Sequence, residues 1–170
     1  MGAHLLVDGY NLARSGTLML AEDPRSEAGR QELCALLAEY ARRKGFRLTV
    51  VFDGRGAGKA ERSRTAFKGG TALFSSAVES ADDVIREIAR NAPTGTVVVT
   101  SDRGLAGTLP SRSLTVVSCG EFGGRLLASQ LETVKGSADE DRPTRRGGKK
   151  GEGRKPKKQD RKREALLRKL

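Results

Sequence analysis

Five short runs of apolar residues punctuate the first two-thirds of the chain: His4 to Val7, Arg47 to Phe52, Thr71 to Phe74 (the weakest), Thr96 to Thr100 and Leu114 to Val117. They are nearly continuous rather than alternating and rich in β-branched residues, which predicts parallel strands covered on both faces. Helical periodicity fills the gaps. Ser26 to Lys44 carries Leu33, Leu36, Leu37, Tyr40 and Ala41 at i, i+3, i+4, i+7 and i+8, so one face is apolar. Ser80 to Arg90 repeats the pattern with Val84, Ile85 and Ile88, and Ser80 is placed to cap it. Asp102 to Leu109 and Phe122 to Leu131 are weaker helices, because Gly104, Gly107, Gly123 and Gly124 lower helix propensity. Alternating strand and helix predicts a three-layer α/β/α sandwich with a mainly parallel central sheet and right-handed crossovers. No internal repeat is present.

Charge divides the chain in two. Residues 1–136 hold 18 Lys+Arg against 15 Asp+Glu, and residues 137–170 hold 14 against 6, so most of the net +11 lies in the last fifth. The expected organisation is one domain over 1–136 and a Lys/Arg-rich tail over 137–170. The tail has almost nothing apolar before Ala165 and is expected to be disordered in isolation. A short helix near 160–170 is expected to form only on a partner. Lys149, Lys150, Arg154, Lys155, Lys157 and Lys158 are its candidate RNA contacts. RNA or DNA is the natural polyanionic partner, with an anionic membrane surface as the rival.

No run is long enough to span a membrane, and the first residues lack a basic region followed by a long apolar stretch, so export is not expected. Cys34 and Cys119 are too far apart in sequence for a zinc motif or a disulfide framework, so a reducing cytoplasm is expected. His4, the only histidine, sits inside an apolar strand. Histidine-based, metal-free cleavage of RNA is thereby disfavoured.

Ligands of open α/β sheets bind at the carboxyl ends of the strands. Three strands here end in aspartate: Asp8 in Val7-Asp8-Gly9-Tyr10-Asn11, Asp53 in Phe52-Asp53-Gly54, and Asp102 in Thr100-Ser101-Asp102. Asp82 and Asp83 open a helix that starts at the same edge. Converging carboxylates repel one another unless a cation lies among them, and hard oxygen donors suit Mg²⁺ or Mn²⁺. Phosphodiester hydrolysis is the chemistry implied. The competing reading of each aspartate is a helix N-cap, which the macrodipole favours at Asp82 and Asp83 in particular. Gly9 permits a tight turn beside Asp8. Asn11 and Ser101 either support the metal site or cap the helices that follow them.

Arg55, Lys59, Arg62, Arg64 and Lys68 lie between Gly54 and Gly70, a stretch with five glycines. The expectation is a mobile loop hanging over the acidic centre and holding RNA phosphates, against the plainer reading of a solvated surface loop. Tyr10 and Phe67 are either stacking platforms for an unpaired base or packing residues.

The ordered set Asp8-Gly9-Tyr10-Asn11, Val51-Phe52-Asp53-Gly54, Glu79-Ser80-Ala81-Asp82-Asp83-Val84-Ile85 and Val99-Thr100-Ser101-Asp102 resembles the NYN domain in its YacP-like bacterial branch, within the PIN-like nuclease superfamily. The resemblance covers roughly residues 3–131 and leaves the basic extension outside. It implies a PIN-like fold and a Mg²⁺- or Mn²⁺-dependent endoribonuclease acting in RNA processing or ribosome-associated mRNA cleavage, on mRNA, rRNA or tRNA. By position it implies an acidic centre of Asp8, Asp82 and Asp102 with Asn11 and Ser101 as polar partners. Asp53 is a further metal ligand in this reading, and Asp83 a supporting group behind the ligands. The alternatives are a non-catalytic RNA- or ribosome-binding module and a phospho-accepting signalling domain. The last would need a lysine after a late strand, where this chain has Ser118-Cys119-Gly120.

Overall fold

The computed structural model describes residues 2–54 and 58–136. Eleven elements follow in order among the described residues: β1 (His4–Asp8), α1 (Gly9–Arg14), α2 (Glu27–Lys44), β2 (Arg47–Phe52), β3 (Ser63–Phe67), β4 (Gly70–Phe74), α3 (Ala81–Arg90), β5 (Thr96–Val99), α4 (Arg103–Thr108), β6 (Leu114–Val117) and α5 (Cys119–Gly136). The strands form one sheet in the order β3-β4-β2-β1-β5-β6. Every neighbouring pair is parallel except β3 with β4. The expected three-layer α/β/α sandwich is the architecture observed.

Alternation within strands that are apolar throughout builds the layers. Leu5 and Val7 of β1, Val50 of β2 and Val97 and Val99 of β5 join a core with Leu12 of α1, Leu33, Leu37 and Tyr40 of α2, and Phe122 and Leu126 of α5. Leu6, Val51 and Val98 face the other way, onto Val84 and Ile85 of α3 and Leu105 of α4. All five residues of the central β1 are buried, and each large apolar side chain so enclosed contributes roughly 1.5–3 kcal/mol. A one-residue slip of β1 would exchange its two faces and lose both cores at once.

Local chemistry sets the helix ends. The Ser26 hydroxyl accepts from the Gly29 amide at 3.0 Å, and Gly45 closes α2 at φ 73°. Ser80 and Asp83 form a reciprocal capping box on α3. α5 begins at Cys119, three residues earlier than its periodicity suggests, and runs to Gly136. Its Gly123 is a packing requirement: a Cβ there would stand 2.1 Å from Thr17 Oγ1. Gly9 likewise makes no left-handed turn. It opens α1, and a Cβ would fall 2.4 Å from the Phe52 ring.

The expected loop from Gly54 to Gly70 is corrected in its second half. Ser63 to Phe67 pairs antiparallel with β4 as an edge strand, and the hairpin turns through Gly69 at φ 98°. A polar, exposed strand such as Ser-Arg-Thr-Ala-Phe owes its conformation to its pairing partner rather than to burial. Residues 55–57, with Arg55, and the whole tail lie outside the described residues. Among the described residues no helix is long and apolar enough to cross a membrane. Cys34 and Cys119 are both buried free thiols.

His4 is buried, as expected. Its Nε2 lies 2.9 Å from Thr49 Oγ1 across the β1–β2 pair, and its Nδ1 has no partner. Burial, reinforced by the Arg47 charge, pushes its pKa down to about 4 from 6.5. The folded state therefore favours neutral imidazole: its stabilisation is present above the unfolded value and is lost as pH falls from 6.5 through 4. The loss should reach about 3 kcal/mol. Urea midpoints measured from pH 7.5 to 4 should fall more for the wild type than for His4→Gln; parallel curves would show that His4 takes no part in acid sensitivity.

Candidate active site

Four elements bring their acidic residues to the carboxyl edge of the sheet. Asp8, the last residue of β1, is 6% exposed. Its Oδ1 accepts from the Asn11 amide at 3.2 Å, capping α1, and its Oδ2 accepts from Asn11 Nδ2 at 3.1 Å and from Thr100 Oγ1 at 3.3 Å. Thr100, following β5, in turn accepts from the Asp102 backbone amide at 3.1 Å. Asp102 caps α4 through its Oδ1, which accepts from Leu105 N at 2.8 Å. One hydroxyl thus ties the end of β1 to the start of α4. Capping does not exhaust these carboxylates, since Asp102 uses Oδ1 for its cap.

Electrostatics link them across elements. Burial, the largest cause, raises the pKa of Asp8; hydrogen bonds from Asn11 oppose the shift, and the Asp82 charge adds to it. Asp82, in the first turn of α3, is raised by burial first and then by the Asp102 charge, against Arg86, with Asp83 and Asp53 adding further repulsion. Asp8, Asp53, Asp82 and Asp102 thus occupy one negative region. Among the described residues Arg86 lies against this region. It sits 4.0 Å from Asp82 and 2.9 Å from Asp83, and donates to Thr108 Oγ1 at the end of α4. Among the described residues, no three His, Cys, Asp or Glu side chains form a ready-made metal cage.

Beside Asp53 opens a cleft of about 640 Å³, walled by Tyr10, Arg14, Arg25, Arg30, Lys59 and Phe74. It lies on the side of the sheet covered by α1 and α2.

A family model described as the YacP-like NYN domain matches residues 5–169. The chain belongs to that family. YacP-like NYN domains are a PIN-like nuclease family, and the match runs through the basic extension, beyond the stretch that carries the sequence resemblance. Two crystal structures of Rae1 (YacP) from Bacillus subtilis are similar to this NYN domain. One, a tryptophan-to-leucine mutant, has 26% identity and a TM-score of 0.56, covering 79% of this chain and 78% of that one. The other has 25% identity and a TM-score of 0.53, covering 79% and 83%. No curated protein sequence is matched.

Within this NYN domain the remaining candidates separate by their contacts. Asn11 is spent on Asp8 and holds its carboxylate in place. Ser101 accepts from Cys119 N at 2.9 Å, tying the end of β5 to the start of α5. Asp83 is engaged by the capping box and by Arg86. Arg62 is clamped by Glu79 and Glu87, each at 2.6 Å, and so braces the hairpin against α3. Lys59 lines the cleft, whereas Arg64 and Lys68 are exposed on the β3–β4 hairpin. Phe67 packs on the core; Tyr10 packs on it and also lines the cleft. Sequence reasoning missed Thr100, Arg86 and the arginines of the cleft. Thr100 had one signal, a hydroxyl at a strand end directly before Ser101-Asp102.

Proposed function

We propose that the protein is a Mg²⁺- or Mn²⁺-dependent endoribonuclease that hydrolyses RNA phosphodiester bonds in the cytoplasm, in RNA processing or in cleavage of ribosome-associated mRNA. The observation that carries this reading is the gathering of Asp8, Asp82 and Asp102, from three separate elements, at one edge of the sheet, where the Asp82 charge acts on Asp8 and the Asp102 charge on Asp82. Evolving such repulsion in a stable fold is uneconomical without a cation to relieve it. Asp8, Asp82 and Asp102 would hold the ion, with Asp53 beside them. The donor chemistry fits, because Mg²⁺ binds through one or two carboxylates, keeps much of its water, and needs no complete protein cage. When bound, the ion supplies Lewis acidity, favouring deprotonation of the attacking water and neutralising charge that develops on the scissile phosphate.

The chain's own residues do the positioning. Asn11 and Thr100 fix the Asp8 carboxylate, while the cap on Leu105 fixes Asp102. In the overall reaction water adds to phosphorus, one P–O bond breaks, and the leaving oxygen takes a proton. The products are one phosphate-bearing end and one hydroxyl end.

Labelled RNA should be cut with Mn²⁺ or Mg²⁺ present and left intact in EDTA. Metal at about a hundred times its Kd should also raise the melting temperature by roughly 10 °C, in line with about 2.7 kcal/mol of linkage. Absence of both effects would leave the non-catalytic RNA-binding reading in its place.

A further inference from the structure

We infer that the cleft between α1, α2 and the β3–β4 hairpin is a nucleotide subsite, which takes an unpaired base and its phosphate from single-stranded RNA as the chain passes the acidic centre. The inference rests on the nuclease reading for the identity of the polymer, but the cleft's chemistry argues for it independently. Four of its lining side chains are cationic and one, Asp53, is acidic. Among the described residues Arg14, Arg30 and Lys59 form no ion pair, and only the exposed Arg25 does, with Asp23 at 3.6 Å.

Aromatic rings, rather than carboxylates, hold two of these cations. Arg14 lies over Tyr10 at 5.7 Å and Arg30 over Phe74 at 5.7 Å. Phe52 fixes both rings, meeting Tyr10 edge-on at 5.2 Å and stacking on Phe74 at 5.3 Å. Arg30 is held further by donating to Tyr10 Oη and to the Arg25 carbonyl. A guanidinium held over a ring rather than by a carboxylate stays charged and able to donate to phosphate, Arg14 through its whole fork and Arg30 through the nitrogens other than Nη1.

Size and position agree with this. A volume near 640 Å³ lies within the roughly 300–1,000 Å³ of small-ligand pockets, so it admits a nucleotide rather than a helix. A base stacked and paired in a duplex cannot enter without being extruded. Tyr10 is two residues beyond Asp8, and the charge of Asp53 in the cleft wall acts on Asp82. A strand seated here would run directly into the acidic centre.

The test compares the full chain with its Arg14→Ala/Lys59→Ala variant in EDTA, so that nothing is cleaved. The probe is a short labelled single-stranded RNA, and its perfect duplex serves as reference. Loss of two phosphate contacts should lower the slope of log K against log[salt] by about 1.4 for the single strand. Its affinity should fall about 10-fold more than the duplex's, with the melting temperature unchanged. An Arg90→Ala/Arg112→Ala variant removes equal charge outside the cleft and should weaken both probes alike. Single-stranded RNA containing 4-thiouridine should crosslink to tryptic peptides bearing Tyr10 or Lys59. Equal losses from the two variants, crosslinks mapping elsewhere, or displacement of the RNA by an acidic peptide at comparable concentration would each overturn the inference. Failure here with metal-dependent cleavage intact discards the subsite alone, whereas selective binding without any cleavage discards the nuclease reading alone.

Discussion

Asp82→Asn and Asp8→Asn are each expected to reduce RNA cleavage by about 10²–10⁴-fold without weakening RNA binding, and Asp82→Asn should at the same time raise the melting temperature of the metal-free protein by a few degrees. The opposite signs follow from one cause. The Asp82 carboxyl is raised above its ordinary 3.8 by burial and by the Asp102 charge. A raised folded pKa means that the folded state favours the proton. Its contribution to stability is full below the unfolded pKa and is lost as pH rises through the folded one, so at neutral pH the ionised carboxylate opposes folding. A neutral amide removes that penalty together with a metal ligand, the usual exchange of stability against activity at a working site. Asp8→Asn gains less stability, because Asp8 Oδ2 accepts from both Asn11 Nδ2 and Thr100 Oγ1 and an amide nitrogen in its place must turn one of them away. Differential scanning fluorimetry in EDTA, beside a cleavage time course in Mn²⁺, reads both effects. A variant that melts lower and still cleaves would show Asp82 to be a first-turn charge that steadies α3 and nothing more.

How much of this was legible in the sequence depended on whether a feature was local. Strands buried on both faces announce themselves as unbroken apolar runs, so β1, β2, β5 and β6 were readable, and with the first three of these the aspartates at their ends. β3 was not, because an exposed edge strand with Arg64 at its centre has no apolar signature and exists by pairing with β4. Arg62 resembled a phosphate ligand because Glu79 and Glu87, which clamp it, follow by 17 and 25 residues. The cleft was hidden for the same reason. Arg14 closes α1, Arg25 precedes α2 and Arg30 lies in its first turns, and only the packing of α1 against α2 sets them round one opening. Gly123 counted against a helix when read alone; its value lies in the approach of Thr17, more than a hundred residues earlier. Thr100 read as a strand former, and its hydroxyl became informative once Asp8 and Asp102 stood on either side.

Removing residues 137–170 is expected to flatten the salt dependence of RNA binding and to spare metal-dependent cleavage at low salt. The segment holds 14 Lys+Arg against 6 Asp+Glu, and each phosphate it neutralises on a single strand adds about 0.7 to the slope of log K against log[salt]. With six to ten such contacts the full chain should lose on the order of 10²–10⁴ in affinity for a single strand between 50 and 200 mM salt. The truncated protein, whose remaining 18 Lys+Arg nearly balance 15 Asp+Glu, should lose far less. At low salt, then, the two forms should differ in affinity by orders of magnitude while their cleavage rates at saturating RNA agree, since a contact that serves only binding changes KM and leaves kcat alone. The family match, which extends to residue 169, makes the opposite outcome informative. A truncated chain that melts lower, or that loses kcat with RNA saturating, would place part of this basic segment inside the working domain and would move its boundary beyond the end of α5.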